Sequence, residues 1–116
     1  MATTLTPVPT TRTPGIDYAV APIAADAAGN NWKNSGAETF WISNGGGSPI
    51  TLTQHFGVMA TIDGVAPANR TISVPAGHAM EFGPFPPSQW NDSNGFMLMT
   101  YSAVTTVSVL VKFTGS

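Results

Sequence analysis

The chain has 116 residues, a formal net charge of −2 and charged side chains at only 9% of its positions. This length corresponds to about one domain with a core of its own, and the charged fraction is well below the ~25% of an ordinary globular chain. With four Lys and Arg and no cysteine, the composition excludes the basic surface that binds nucleic acid, a disulfide framework and a thiolate site.

The first 15 residues are rich in threonine and proline. Pro7, Pro9 and Pro14 each fix φ and remove a backbone donor, which excludes a helix and favours extended backbone. We therefore expect an extended arm over residues 1–15 and a single domain over residues 16–116. The arm lacks the apolar stretch of a secretory signal, and no apolar run reaches the ~20 residues that span a membrane. We expect a chain made in the host cytoplasm, without a membrane partner.

Alternating apolar and polar residues predict β-strands in the middle of the chain. Residues 37–43 place Phe40 and Ile42 on one face, and residues 50–56 alternate in the same way. Between them lies a turn cluster, 44–49, with the letters NGGGSP. Glycine, asparagine and proline between two alternating runs are the strongest hairpin signal in this chain.

The remaining segments also have the period of strands. Residues 24–36 are predicted to form a loop anchored by Trp32, and residues 83–87 form a proline corner that precedes a polar turn at 89–95. Seven or eight short strands separated by turn signals predict an all-β fold, a compact antiparallel β-sandwich of the immunoglobulin-like or jelly-roll-like kind. Besides the two strands above, the predicted strands are 16–23, 58–62, 71–74 (ending at Pro75), 78–82, 96–102 and 106–113.

The sequence offers no set of residues that suits catalysis, a metal or a cofactor. His55 and His78 have no neighbouring ligand at metal-binding spacing, and the six carboxylates are scattered. The glycines at 45–47 are not followed by the lysine of a phosphate-binding loop. We therefore predict a protein that is not an enzyme. Exposed aromatic rings at Trp32, Trp41 and Trp90 would instead favour a carbohydrate-binding module, which stays as an alternative.

Four segments, taken in their order and spacing, resemble a family of small virion proteins of tailed phages and prophages. They are the Thr/Pro-rich start, FWISNGGGSPITL at 40–52, VPAGHAMEFGPFPP at 74–87 and TYSAVTTVSV at 100–109. The resemblance is to capsid decoration, or cement, proteins. It implies a β-sandwich that forms homotrimers on the outer capsid surface and binds across junctions of the major capsid protein. Another virion role, in the tail, the fibre base or the connector, remains open.

Two groups of residues are expected to contact the capsid or a neighbouring protomer. The arm can add an edge strand to a neighbour, and rigid aromatic side chains flanked by proline lose little entropy on docking. We expect the aromatic residues of the proline corner to be buried, either in the core or between protomers. The predicted contact residues are Leu5, Pro7, Val8, Pro9, Arg12, Trp32, Phe82, Phe85 and Trp90.

Overall fold

The protein folds into two face-to-face β-sheets, which confirms the predicted all-β sandwich. A computed structural model describes residues 3–10, 15–18, 21–55, 69–92 and 94–114. One four-residue helix, α1 (Pro87–Trp90), follows the proline corner, and no described helix is long and apolar enough to cross a membrane. The described strands are β1 (Thr3–Thr4), β2 (Val8–Thr10), β3 (Ile23–Ala24), β4 (Asn30–Lys33), β5 (Thr39–Asn44), β6 (Ile50–His55), β7 (Arg70–Val74), β8 (Ala79–Phe82), β9 (Phe96–Tyr101) and β10 (Val107–Thr114).

Each sheet contains five strands. The first has the order β1-β4-β9-β6-β7, and the second has the order β2-β10-β5-β8 with β3 paired to β10. Every pair is antiparallel except β1 with β4 and β2 with β10. The sandwich is therefore antiparallel as predicted, apart from two short parallel edge strands that the N-terminal segment adds. These two strands, together with β4 in the segment predicted to be a loop, explain why the chain has more strands than the seven or eight expected.

The core is built from the inward positions of alternating strands. Phe40 and Ile42 are fully buried while Trp41 between them is half-buried, as the alternation predicts. Leu52 is fully buried on β6, and Val109 is fully buried on β10, which pairs with β5 over six residues. This apolar burial is the main favourable contribution to folding, at about 25 cal/mol per Å². The buried core residues are Leu5, Ala25, Trp32, Phe40, Ile42, Ile50, Leu52, Val74, Phe85, Trp90, Met97, Met99, Val107, Val109 and Val111.

The predicted hairpin at residues 44–49 is not a hairpin. The strands on either side belong to different sheets, because β5 pairs with β10 and β8 whereas β6 pairs with β7 and β9. The connection from β7 through Pro75 to β8 crosses between the sheets in the same way. Turn residues mark where the chain reverses, but they do not determine which sheet the next strand joins.

Two N-terminal expectations were wrong in detail. Residues 30–33 form strand β4 instead of a loop, since Trp32 points into the core and the flanking asparagines pair with β1 and β9. In the predicted strand 16–23, the described strand is limited to Ile23–Ala24. The predicted strand at 58–62 lies outside the described residues.

Candidate functional site

Three of the predicted contact aromatics meet inside this chain's own core. The ring centroid of Trp32 lies 5.4 Å from that of Phe40 and 6.0 Å from that of Phe85. Phe85 in turn contacts Trp90 edge-on, with centroids 5.4 Å apart. The prediction that Phe85 and Trp90 are buried is confirmed, and the burial is in the core. Phe82 is half-buried and pairs with Phe40 across β8 and β5.

This aromatic cluster corrects the expectation of a carbohydrate platform made of three tryptophans. Trp32 is 0% exposed and Trp90 is 5% exposed, so neither offers an open ring face to a sugar. Trp41 is half-buried on the outer face of the second sheet, where it stacks on Tyr18 with centroids 5.0 Å apart. Trp32 and Trp41 therefore lie on opposite sides of the second sheet, and the three rings form no common surface.

The N-terminal segment closes one side of the sandwich. Its strands β1 and β2 pair with β4 of the first sheet and β10 of the second, respectively. Between them Leu5, 5% exposed, reaches into the core, and its backbone N–H donates to the carbonyl of Asn31 at 2.7 Å. Pro7 and Val8 are half-buried, and Pro9 is exposed. Arg12 lies outside the described residues.

A polar network fixes the start of this segment. The hydroxyl of Thr3 donates to the carboxylate of Asp26, which also accepts the backbone N–H of Ala28 at 2.9 Å, and these bonds lower the pKa of Asp26. Next to it, the side-chain oxygen of buried Asn30 accepts the Tyr101 hydroxyl at 2.8 Å. Burial, with a smaller contribution from the charge of Asp26, raises the pKa of Tyr101. The phenol consequently stays a neutral donor.

Three turns meet at the opposite end of the strands from the proline corner, around the buried side chain of Asn44. Its amide group donates to the carbonyl oxygens of Ser48 at 2.9 Å and Val74 at 3.1 Å, and its oxygen accepts the backbone N–H of Gly46 at 3.0 Å. The backbone of Asn44 adds an exchange with the neighbouring turn, since its N–H donates to His78 and its carbonyl accepts from Gly77. Asn44 therefore joins the first turn to the end of β7 and to the second turn.

We call this end the uncharged tip and define it as residues 44–49, 75–78 and 102–106. None of these positions is Asp, Glu, Lys or Arg, and most are Gly, Pro, Ser, Ala or Thr. The backbone N–H of Gly45 donates to the carbonyl of Thr106 at 3.0 Å, which holds the first and third turns together. A shallow concavity of about 210 Å³ lies between these two turns. Small uncharged residues allow a partner to approach the backbone closely without desolvating a charge.

Several ionisable side chains elsewhere in the described residues are engaged in structural contacts. Burial lowers the pKa of His55, whose ring nitrogens lie 2.7 Å from the Thr100 hydroxyl and 3.2 Å from the Asn69 amide. Lys112 contacts the Tyr18 hydroxyl and forms an ion pair with Glu81 at 3.1 Å, and these two partners raise its pKa in that order. Over the part of the chain that the structure describes, no three His, Cys, Asp or Glu side chains are close enough to hold a metal ion.

Asn44 and Asn30 are structural residues that the sequence does not single out. Asparagine beside glycine is an ordinary turn residue, so nothing in its type indicates burial. The signal that could have found Asn44 is its parity, because residues 38, 40, 42 and 44 all face inward on the same alternation.

Comparisons of the chain with protein-family models, curated proteins and solved structures find no match.

Proposed function

We propose that this chain is a structural virion protein that decorates a phage capsid. In this role it binds the outer surface across junctions of the major capsid protein and stabilises the assembled shell. A protein that binds only the assembled state shifts the equilibrium towards that state in proportion to its concentration over its dissociation constant. No chemical step is needed, and the function depends on complementary surfaces alone.

The observation that carries this proposal is the uncharged tip. Parts of three of the segments that resemble decoration proteins, 40–52, 74–87 and 100–109, supply its three turns. These turns are distant in sequence, yet the hydrogen bonds of Asn44 and Gly45 bring them together. The resemblance thus includes one continuous surface of the folded chain. We assign capsid contact to this surface.

Two strand edges without a strand neighbour among the described residues support the proposed homotrimer. The N-terminal segment covers one side of the sandwich, whereas β7 and β8 end their sheets on the other side without a strand neighbour among the described residues. An exposed strand edge can pair with a strand of another chain. We place the contacts between protomers at this second side, and a tip at the end of each sandwich then leaves all three tips free to face the capsid.

A charge added at Gly47 tests the proposal without disturbing the fold. A Cβ at this position meets no atom within 4 Å, so Gly47→Ala should fold and bind as the wild type does. Gly47→Glu places a carboxylate on the tip, where it must be desolvated on docking. We expect Gly47→Glu to lower occupancy on purified particles lacking this chain, measured by co-sedimentation.

The matched control is Ala37→Glu, which adds the same charge at an exposed position near the proline end of the strands. It should leave occupancy unchanged. Equal binding by Gly47→Glu and Gly47→Ala would remove the tip from the capsid contact. Binding of the wild type to isolated tails but not to capsids would instead favour the tail role.

A further inference from the structure

A cavity of about 330 Å³ lies at the proline end, remote from the uncharged tip. Its walls come from the end of β6, the start of β7, the proline corner and α1. Gln54, Arg70, Phe82 and Trp90 supply the side chains that matter here, and Pro84 and Pro86 form a rim. None of the lining residues is acidic. The cavity therefore combines a rigid wall with a positive charge.

Gln54 lines this cavity with its side chain. The residue is 2% exposed and lies directly opposite Arg70 in the β6–β7 register, so the two side chains are on the same side of the sheet. Over the part of the chain that the structure describes, the Gln54 side chain has no hydrogen-bond partner, and its amide is not among the fully buried polar atoms without one, so it reaches the cavity surface. The amide of Gln54 is thus available to a ligand that enters the cavity.

Arg70 is held in place by an aromatic ring rather than by an acid. Its guanidinium carbon lies 5.4 Å from the centroid of Trp90, which is itself fixed edge-on against Phe85. The one ion pair found among the described residues joins Lys112 to Glu81, not Arg70 to an acid. Stacking covers the face of the guanidinium and leaves its N–H edges free to form hydrogen bonds.

We propose that this cavity binds a carboxylate, supplied by an Asp or Glu side chain of a partner protein. The planar guanidinium matches a carboxylate in a two-bond geometry, and the Gln54 amide adds a neutral donor from the floor. A single cation beside a neutral amide suits a singly charged carboxylate better than a phosphate. A sugar acid is disfavoured because the Trp90 and Phe85 rings are covered, which leaves no open aromatic face for a sugar ring.

This site is distinct from the proposed capsid contact. It lies at the other end of the strands, so capsid contact through the uncharged tip does not cover it, and Arg70 and Phe82 place it beside the β7 and β8 edges that we assign to protomer contacts. The two proposals can consequently fail separately, because Gly47→Glu alters only the tip. A decorated particle with this second site would hold an acidic segment of another protein away from the shell surface.

The test is an NMR titration of the labelled protein with two matched probes, N-acetylglutamate N-methylamide and its neutral glutamine counterpart, at constant ionic strength. We expect saturable shifts of the Gln54 side-chain amide, the Arg70 Nε–H and the Trp90 indole with the glutamate probe alone. Arg70→Gln should weaken this binding by about ten-fold or more, the usual effect of losing a charged hydrogen bond. Lys33→Gln removes another exposed cation and should leave the binding unchanged.

Three outcomes would overturn the proposal. The first is equal chemical-shift changes with both probes, and the second is an unchanged affinity of Arg70→Gln for the glutamate probe. The third is an affinity for glucuronate about ten-fold above that for the glutamate probe, because the ligand would then be a sugar acid. Because Arg70 is exposed, its replacement does not endanger folding. Gln54→Met, a second variant of similar volume, should retain part of the binding through Arg70 and lose the contribution of the amide.

Discussion

The side-chain amide of Asn44 donates a hydrogen bond to the carbonyl oxygen of Val74 across 3.1 Å and so ties together the ends of two strands that belong to different sheets. Asn44 is 1% exposed, and Val74 is fully buried. The bond explains why a glycine-rich turn of the kind that favours flexibility can hold a fixed shape. It joins the first turn of the uncharged tip to the end of β7, and the backbone bond from Gly45 to Thr106 adds the third turn.

Replacing Asn44 by alanine should destabilise the protein. The carbonyl oxygens of Ser48 and Val74 both lose their donor from this amide, the bond to Val74 being buried and the bond to Ser48 part-buried, and an unsatisfied buried acceptor costs about 1–3 kcal/mol. We expect the free energy of unfolding to fall by about 2–4 kcal/mol in urea denaturation. Ser48→Ala, at an exposed side chain, is the control and should change it by less than about 0.5 kcal/mol. A similarly small effect of Asn44→Ala would show that the tip is held by other contacts.

Phe85→Ala should destabilise the aromatic cluster. Phe85 contacts both Trp32 and Trp90 in the core, and truncating a buried phenylalanine costs about 3–5 kcal/mol. Thermal and chemical unfolding should both report this loss, with a change in the fluorescence of the two tryptophans. Pro86→Ala replaces the exposed neighbour of Phe85 and should have little effect. Unaltered stability in Phe85→Ala would contradict the core assignment.

The hydrogen bond from the Thr3 hydroxyl to the Asp26 carboxylate should be lost in acid. Hydrogen bonds from Thr3 and Ala28 lower the pKa of Asp26 in the folded state, so their contribution is complete above the ordinary pKa of about 4 and is lost as the pH falls through the lower folded-state value. We expect the hydrogen-exchange protection of the Leu5 amide to decrease over that range. Asp26→Asn should show low protection of the Leu5 amide that does not vary with pH. A pH profile identical to that of the wild type would show that the Thr3–Asp26 hydrogen bond does not hold this segment.

Leu5 should anchor the N-terminal segment. Its side chain is buried between the sheets, and Leu→Ala in a core costs about 2–5 kcal/mol. Leu5→Ala should therefore lower stability and increase proteolysis at residues 3–10, whereas Thr6→Ala, at an exposed neighbour, should not. Deletion of residues 2–14 removes β1, Leu5 and β2 from the chain's own sandwich, so it should lower stability and, through it, capsid attachment. Full occupancy of the deleted form on particles would exclude the arm from that contact.

The sequence predicts the fold class because alternation and turn chemistry are local properties. The inward faces of β5 and β10, including Phe40, Ile42 and Val109, follow from parity alone. Strand β4 is not predicted because Asn30 and Asn31 are polar, and hydrogen bonds with Thr3, Thr4 and Tyr101 contribute to making their positions favourable. Such partners lie far away in sequence and cannot be inferred from a local pattern.

The candidate sites are less predictable for the same reason. The aromatic residues chosen from the sequence are brought together, but the pattern could not distinguish a core from an interface. The pairing of Gln54 with Arg70 depends on the β6–β7 register, which is set by strands that the sequence does not connect through a recognisable turn. Asn44 required knowledge that β5 and β7 end side by side at the same tip.

The most direct measurement is cryo-electron microscopy of the native particle. We expect density for the β-sandwich on the outer capsid surface, in groups of three at junctions of the major capsid protein, with residues 44–49, 75–78 and 102–106 facing the shell. Density for this chain only in the tail or connector, or a sandwich that contacts the shell through another surface with the tip in solvent, would contradict the proposed function.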